Sequence, residues 1–259
     1  MPVTPKSPKT FAIDAGAEVK ARDAWSTVVL FDPLAIPFAR YLAARHVNAA
    51  TVTSASLLLG LISACFGALG RGPIAASAVL LAYYASFMLD CVDGKLARLS
   101  STASPQGAAF DLVTDAWKTL AYSFVLILRA ALSGSTLRLI WVLLAVLGLD
   151  LSKVIGLIID GRSNPSMPKD SEFERFRPRI LPKRFANAPS TVDVEVLLLG
   201  VWLPLVVAGR YSGPVLATAV GFVMFRVGLQ IRATFRLWKS ARNAAVRQGG
   251  GHPALDEAG

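Results

Sequence analysis

The chain has 259 residues, of which 54% are hydrophobic and only 17% charged, a composition that argues against a disordered chain and against an ordinary soluble enzyme. Its 27 lysines and arginines outnumber 17 acids and give a formal net charge of +10. Two cysteines and two histidines leave little basis for a disulfide framework, a structural zinc site or a histidine-based triad, so any chemistry must come from carboxylates.

The N-terminal region, residues 1–46, is predicted to be a cytoplasmic tail followed by an interfacial helix. Its first 25 residues lack the apolar core and small-residue cleavage site of a signal peptide. Residues 25–45 then mix apolar and charged side chains, with Pro33 and Pro37 as interruptions. This pattern favours an amphipathic helix lying at the membrane surface, in one or two pieces, over an ordinary packed helix.

Six later stretches approach the roughly 20 apolar residues that a helix needs to cross a bilayer. They lie at about 48–69, 74–94, 107–128, 137–160, 190–209 and 213–235. The predicted fold class is therefore an all-α integral membrane protein, with a six-helix transmembrane catalytic domain over residues 47–240. Residues 241–259 are predicted to be a disordered cytoplasmic tail.

The distribution of basic residues predicts the orientation. Twenty of the 27 lie in the two terminal regions and in the loops after the second and fourth spans, and three more lie within spans. Only Arg71, Arg129, Arg138 and Arg210 fall on the other side. The protein is predicted to lie in the cell or inner membrane. By the positive-inside rule, both of its termini are predicted to be cytoplasmic.

Four aspartates lie in or beside two of these spans. Asp90 and Asp93 end the second span, and Asp111 and Asp115 lie at the start of the third. A helix turns about 100° per residue, so spacings of three and four put both acids of each pair on one face. Ionised aspartates at membrane depth cost roughly 2.5–3.5 kcal/mol each on insertion scales, so a positive partner is expected.

Divalent cations are the expected partner of these acids. Lys95 and Arg98 are near in sequence, but we expect them to face the water. Carboxylate ligands without histidine or thiolate favour Mg²⁺ or Mn²⁺. Four carboxylates can hold a pair of such ions, and paired ions of this kind commonly assist displacement reactions at phosphorus. Small residues beside the acids, namely Gly94, Ala97 and Gly107, would let a ligand approach the backbone. The alternative is that the acids and small residues are structural.

These residues form one continuous pattern. It reads Asp90-x-x-Asp93-Gly94-x-x-Ala97-Arg98, eight residues, then Gly107-x-x-x-Asp111-x-x-x-Asp115. The pattern resembles the signature of the CDP-alcohol phosphatidyltransferase family in every motif position and every gap. Residues 47–51, Val-Asn-Ala-Ala-Thr, are similar to the Pro-Asn-x-x-Thr of many members but lack the proline.

The resemblance implies an activity and a set of site residues. A phosphatidyl group would pass from a CDP-linked lipid donor, usually CDP-diacylglycerol, to an alcohol, with release of CMP, in phospholipid biosynthesis. Two divalent cations, Mg²⁺ or Mn²⁺, would be held by Asp90, Asp93, Asp111 and Asp115, and Asp115 would also be the general base. The nucleotide would contact Asp90, Asp93, Gly94, Ala97, Arg98 and Gly107. A homodimer in the lipid bilayer is implied, and no nucleic-acid partner is expected.

The acceptor is predicted to be a small polar alcohol. The basic loop at 161–189 favours a phosphorylated polyol, such as inositol phosphate or glycerol phosphate, but serine, inositol and other alcohols stay open. Candidate acceptor-binding residues are Lys118, Arg175, Arg177 and Arg179. The loop alternatively serves lipid headgroups or topology, and Lys118 alternatively contacts Asp115 or Asp111. Asp150 and Lys153 are predicted to pair within the fourth span, with a substrate role as the alternative.

Two other functions compete with the transferase. A divalent-cation carrier would use the same aspartates as a transport site, although the acids cluster at one membrane face. A non-catalytic scaffold that retains the motif is the third hypothesis.

Overall fold

The computed structural model describes residues 23–162, 190–210 and 213–249, and the regular elements in these ranges are helices. Four of them are long and apolar enough to cross a membrane, judged by length and composition. They are Thr27–Ala44, Ala49–Leu69, Gly72–Leu99 and Gly213–Arg232. The all-helical membrane class is therefore supported, whereas the number of six spans stays a prediction.

The helices follow the order of the predicted spans. A π-helical turn at Thr27–Phe31 leads into α1 (Asp32–Ala44), followed by α2 (Ala49–Leu69), α3 (Gly72–Leu99), α4 (Pro105–Leu132) and α5 (Thr136–Arg162). Later, α6 (Thr191–Leu197) continues through a π-helical turn (Leu198–Trp202) into α7 (Leu203–Val207), and α8 covers Gly213–Gly249. Helix α8 thus extends past the predicted domain end at 240, while residues 250–259 lie outside the described ranges.

Short polar residues determine where two of the helices begin. The Asn48 side chain accepts a hydrogen bond from the Ala50 amide at 3.0 Å and caps α2, so the helix starts at the predicted position without the missing proline. The Ser104 hydroxyl accepts from the Gly107 amide at 3.1 Å, and Pro105 occupies the first turn of α4.

Helix α1 lies against the half of α3 that carries the first two aspartates. It is a single helix, with Pro33 in its first turn and Pro37 inside it. Its alanine face is fully or almost fully buried against a cluster on α2 and α3 (Ala35, Ala39 and Ala43 against Val52, Val92, Leu96 and Leu99). The opposite face exposes Leu34 and Tyr41. Because Thr27–Ala44 is also one of the four segments that could cross a membrane, its interfacial position stays a prediction.

Helices α2 and α3 pack closely through small hydroxyl residues. The Ser56 hydroxyl donates to the Ser86 carbonyl at 2.9 Å, and the Ser86 hydroxyl donates to the Ser56 carbonyl at 2.7 Å. About two turns further along α2, the Ser63 hydroxyl donates to the Val79 carbonyl at 3.0 Å. Such small polar side chains let membrane helices approach closely, so α2 forms a firm support behind α3.

The main apolar core lies between α3, α4, α5, α7 and α8. Trp202 and Leu203 are completely buried at its centre, and Tyr83 and Tyr122 meet edge to face with ring centroids 5.8 Å apart. This core fixes the relative positions of α3 and α4, the two helices that carry the aspartates.

Candidate active site

Asp90, Asp93 and Asp111 form a cluster, here called the aspartate cluster, where α3 and α4 face each other. One carboxylate oxygen from each lies within 4.8 Å of the others. Asp93 is buried, whereas Asp90 and Asp111 are partly exposed. Three carboxylates this close repel one another unless a cation lies among them, and their all-oxygen chemistry fits a hard divalent ion.

A threonine on α2 orients the buried member of this cluster. The Thr53 hydroxyl donates to Asp93 Oδ2 at 2.6 Å, and Thr53 itself is buried. No charge or motif marks Thr53 in the sequence, since its role depends on α2 lying directly behind Asp93.

Asp115 is placed differently from the other three signature acids. Its carboxylate pairs with Lys118 at 2.8 Å, and Lys118 also contacts the carboxylate of Asp90 and lies 3.3 Å from the Ser56 hydroxyl. The Asp115 side chain is 49% exposed, whereas that of Lys118 is 12% exposed. Lys118 therefore joins Asp115 to the cluster. Of the contacts that the sequence analysis considered for Lys118, the one with Asp115 is observed.

The position of Lys118 depends on a glycine of α2. A Cβ atom at Gly60 would lie 3.1 Å from Lys118 Cγ and 3.2 Å from Lys118 Cδ. The absence of a side chain at Gly60 therefore gives the lysine stem a path between α2 and α4. Neither Gly60 nor Ser56 stands out in the sequence, because each resembles the other small residues of an apolar helix.

The predicted nucleotide residues lie on the helix faces around the aspartates. Gly94 and Arg98 line the same cavity as the aspartates, and a Cβ at Gly94 would meet only Arg98 Nη1, at 3.5 Å. A Cβ at Gly107 would meet only the Ser104 hydroxyl, at 3.3 Å. Both glycines thus face space that the described protein atoms leave open. Ala97 and Gly107 are not among the residues that line the cavity.

Lys95 does not face the water, contrary to the sequence expectation. Helix α3 continues to Leu99, and Lys95 is buried in an ion pair with Asp32 of α1 at 2.9 Å. It also donates to the Cys91 carbonyl at 3.2 Å. The expectation was wrong because α1 covers this face of α3, which a prediction for the isolated helix could not include.

A cavity of about 830 Å³ contains the aspartates and a second polar group. In that group Lys153 of α5 forms an ion pair with Glu195 of α6 and donates to the Thr119 hydroxyl at 2.9 Å. The predicted partner of Lys153 was Asp150, which lines the same cavity. That prediction was wrong, because Lys153 pairs with Glu195 instead. Glu195 was missed, although an acid within an apolar stretch was the available signal.

The other predicted acceptor residues fall outside these observations. Arg175, Arg177 and Arg179 lie outside the described residues, as does most of the basic loop. Of the four acceptor candidates only Lys118 is described, and it lies among the aspartates.

The comparison with known proteins agrees with this geometry. Residues 46–170 match the family model described as CDP-alcohol phosphatidyltransferase, a range that contains α2 to α5 and all four aspartates. No curated protein gives a significant match to the chain. With three carboxylates converging at a large cavity within the matched range, residues 46–170 form a CDP-alcohol phosphatidyltransferase domain, the domain of an enzyme family.

Proposed function

We propose that the protein transfers a phosphatidyl group from a CDP-linked lipid, CDP-diacylglycerol, to the hydroxyl of a small polar alcohol and releases CMP. The observation that carries this proposal is the convergence of Asp90, Asp93 and Asp111 within 4.8 Å beside a cavity of about 830 Å³. Such a cavity is large enough for a nucleotide and a small acceptor together.

The four signature acids are the residues that would hold two divalent cations, Mg²⁺ or Mn²⁺. When bound, these ions neutralise the diphosphate and stabilise the phosphate that leaves with CMP. Carboxylates are the only side-chain donors in the aspartate cluster, which fits either ion. The Thr53 hydroxyl holds Asp93 in place from behind, so the cluster is supported by a second layer of contacts.

The donor nucleotide is assigned to the α3 face of the cavity. Gly94 leaves open space beside the aspartates, and Arg98 extends over that space. A guanidinium here is suited to the nucleotide phosphates, because its planar set of donors matches phosphate oxygens. Ala97 and Gly107, which do not line the cavity, are proposed to contact the nucleotide only by analogy with the family signature.

Asp115 is assigned the role of general base. It lines the cavity, its side chain is 49% exposed against 24% for Asp90, and Lys118 fixes its orientation. It takes the proton of the acceptor hydroxyl as the acceptor oxygen attacks the phosphorus that bears the lipid. The bond from that phosphorus to the CMP oxygen breaks, so no covalent enzyme intermediate is needed.

The acceptor is assigned to the part of the cavity between Asp115 and the Lys153–Glu195 pair. Thr119, Lys153 and Glu195 offer both hydrogen-bond donors and acceptors there, which suits a hydroxyl-rich molecule. A phosphorylated polyol remains our preferred acceptor, with Arg175, Arg177 and Arg179 as its proposed phosphate ligands.

The membrane setting follows from the helices and the distribution of charge. We propose that the enzyme is a homodimer of the cell or inner membrane, with the active site and both termini cytoplasmic. The lipid donor then enters sideways from the bilayer, while nucleotide and divalent cations meet the site from the cytoplasm.

The proposal is tested by CMP release from labelled CDP-diacylglycerol. The purified protein is assayed with Mg²⁺ or Mn²⁺ and a panel of alcohols that includes glycerol phosphate, inositol phosphate, inositol and serine. We expect release with one acceptor class. We also expect Asp111→Asn to abolish it and Asp115→Asn to lower kcat at least about 100-fold, because a general base contributes about that much.

The matched control for these variants is Asp193→Asn, an acid of α6 that serves in a helix cap. It does not line the cavity. No CMP release with any acceptor and either ion, from protein that elutes as a folded species, would overturn the proposed reaction.

A further inference from the structure

A second cavity lies at the end of the helix bundle opposite to the aspartates. It has a volume of about 360 Å³ and is lined where α3 begins, α4 ends, α5 begins and α7 ends. At 1.5 Å per residue, the first residue of α3, Gly72, lies about 27 Å along the helix axis from Asp90. This distal cavity is therefore separate from the proposed reaction.

Four arginines line the distal cavity: Arg71, Arg129, Arg138 and Arg210. None of its lining residues, all within the described ranges, carries a carboxylate. The sequence also contains no acid within residues 66–76, 128–140 or 205–214, which hold these arginines. Among the residues that line the distal cavity, no acidic side chain offsets the charges of Arg71 and Arg210.

One of the four, Arg129, has a structural task. It is buried, and its guanidinium donates to the carbonyls of Gly67 and Gly70 at the end of α2. These carbonyls lack partners within the helix, so Arg129 completes the C-terminus of α2. The charge of Arg71 acts on Arg129 across this end of the bundle. The two like charges repel, which makes a nearby anion favourable.

Two of the other arginines lie at the beginnings of helices. Arg71 is the N-cap of α3, and Arg138 is the third residue of α5. The N-terminus of a helix carries about half a positive charge, so it favours an anion and disfavours a guanidinium. The helix N-terminus therefore does not favour the guanidinium of Arg71, and an anion in the distal cavity would offset its charge.

Large apolar side chains near the arginines of the distal cavity in the sequence are exposed. Leu69 and Ile74 flank Arg71 and are 83% and 86% exposed, and Leu132 and Leu137 are 63% and 66% exposed. In a membrane protein such side chains face hydrocarbon. The arginines thus lie beside the acyl region, at the depth where phospholipid phosphates are found.

We propose that the distal cavity binds a phosphate-bearing anion through these arginines. The ligand is the headgroup of an anionic phospholipid in the leaflet opposite the active site, or a free phosphate with the same chemistry. Planar guanidinium groups match tetrahedral phosphate oxygens in pairs, and several around one cavity of this size can share a single phosphate.

Calorimetric titration of the full-length purified chain in a neutral detergent tests the proposal. The probes are inorganic phosphate and dihexanoyl-phosphatidylglycerol, with EDTA present so that neither binds through a metal at the aspartates. The cavity variant is Arg71→Gln/Arg210→Gln, because both side chains are exposed and their replacement leaves the buried Arg129 contacts intact. The matched control is Arg40→Gln/Arg45→Gln, which removes two exposed charges from the region of α1.

We expect saturable binding to the wild-type chain, weakened about 10-fold or more by the cavity variant and unchanged by the control. Tighter binding of the lipid than of phosphate identifies a phospholipid as the ligand, whereas equal affinity identifies a free anion. Failure of both probes to saturate the wild-type chain overturns the proposal, as does equal affinity of the wild-type chain and the cavity variant. Elution volume and CMP release check that the cavity variant is folded.

Discussion

Lys118 is the residue that most changes how the four signature acids work together. The sequence places all four at helical spacing, but the structure groups three of them and ties Asp115 to Asp90 through the lysine. The lysine supplies a positive charge among acids that repel one another when no divalent ion is bound. A second bound ion would therefore compete with Lys118 for Asp90 and Asp115.

Replacing Lys118 tests this competition. We expect Lys118→Met to lower the Kd for Mn²⁺ about 10-fold, or ~1.4 kcal/mol, because the carboxylates lose a competing cation. This change in binding free energy is smaller than the Coulomb energy of roughly 4 kcal/mol between two unit charges 4 Å apart near a protein surface. Mn²⁺ binding is measured by electron paramagnetic resonance in detergent. Lys153→Met is the control, since Lys153 pairs with Glu195. Weaker Mn²⁺ binding in Lys118→Met would show that the lysine assembles the site instead.

Gly94 offers a direct test of the nucleotide face. The Cβ of Gly94→Ala would meet only Arg98 Nη1 at 3.5 Å, so we expect the variant to fold normally. The added methyl narrows the space beside the aspartates, and we expect the KM for the CDP-linked donor to rise about 10-fold with little change in kcat. Gly221→Ala on α8 is the control, because a Cβ there meets nothing within 4 Å. Unchanged donor KM in Gly94→Ala would place the nucleotide elsewhere.

At the scale of whole elements, α1 and α3 are joined by a buried ion pair beside an apolar interface. The Asp32 and Lys95 side chains are only 4% and 5% exposed and form their ion pair beside the alanine face of α1. Lys95 directly follows Gly94 in the sequence. The docking of α1 on Lys95 therefore supports the turn of α3 that carries the proposed nucleotide face. The amphipathic pattern predicts that α1 exists, but the partner of its acid depends on where α1 docks.

A double-mutant comparison measures this contact. Lys95→Met alone leaves the Asp32 carboxylate buried without its ion pair, and breaking a buried pair costs about 3–5 kcal/mol. We expect a large fall in Tm for Lys95→Met and for Asp32→Leu. The double variant should recover most of the loss, because it leaves neither charge buried alone. Thermal unfolding in detergent reports the Tm. Additive losses in the double variant would contradict the inferred coupling.

At the scale of the whole molecule, the orientation in the membrane decides which compartment supplies the nucleotide. We expect Thr102→Cys, in the connection between α3 and α4, to face the cytoplasm and Thr136→Cys, at the start of α5, to face outward. Both native side chains are exposed. In a chain with Cys65→Ser and Cys91→Ser, an impermeant maleimide should label position 136 in intact cells. It should label position 102 only after permeabilisation, and the reverse pattern would invert the proposed topology.

The sequence by itself determined the helical class, the helix starts and the acids available for chemistry. These features depend on local composition, capping residues and helical spacing, which neighbouring elements change little. The four aspartates are an example, since their helical spacing was readable from a few adjacent residues.

Only the tertiary structure decided which charges meet. Lys95 pairs with Asp32, Lys153 with Glu195, and Lys118 with Asp90 as well as with its neighbour Asp115. The four arginines of the distal cavity likewise come from segments far apart in the chain. Such partners depend on how helices are rotated and where they cross, which is set by the packing of the whole bundle and has no local trace in the sequence.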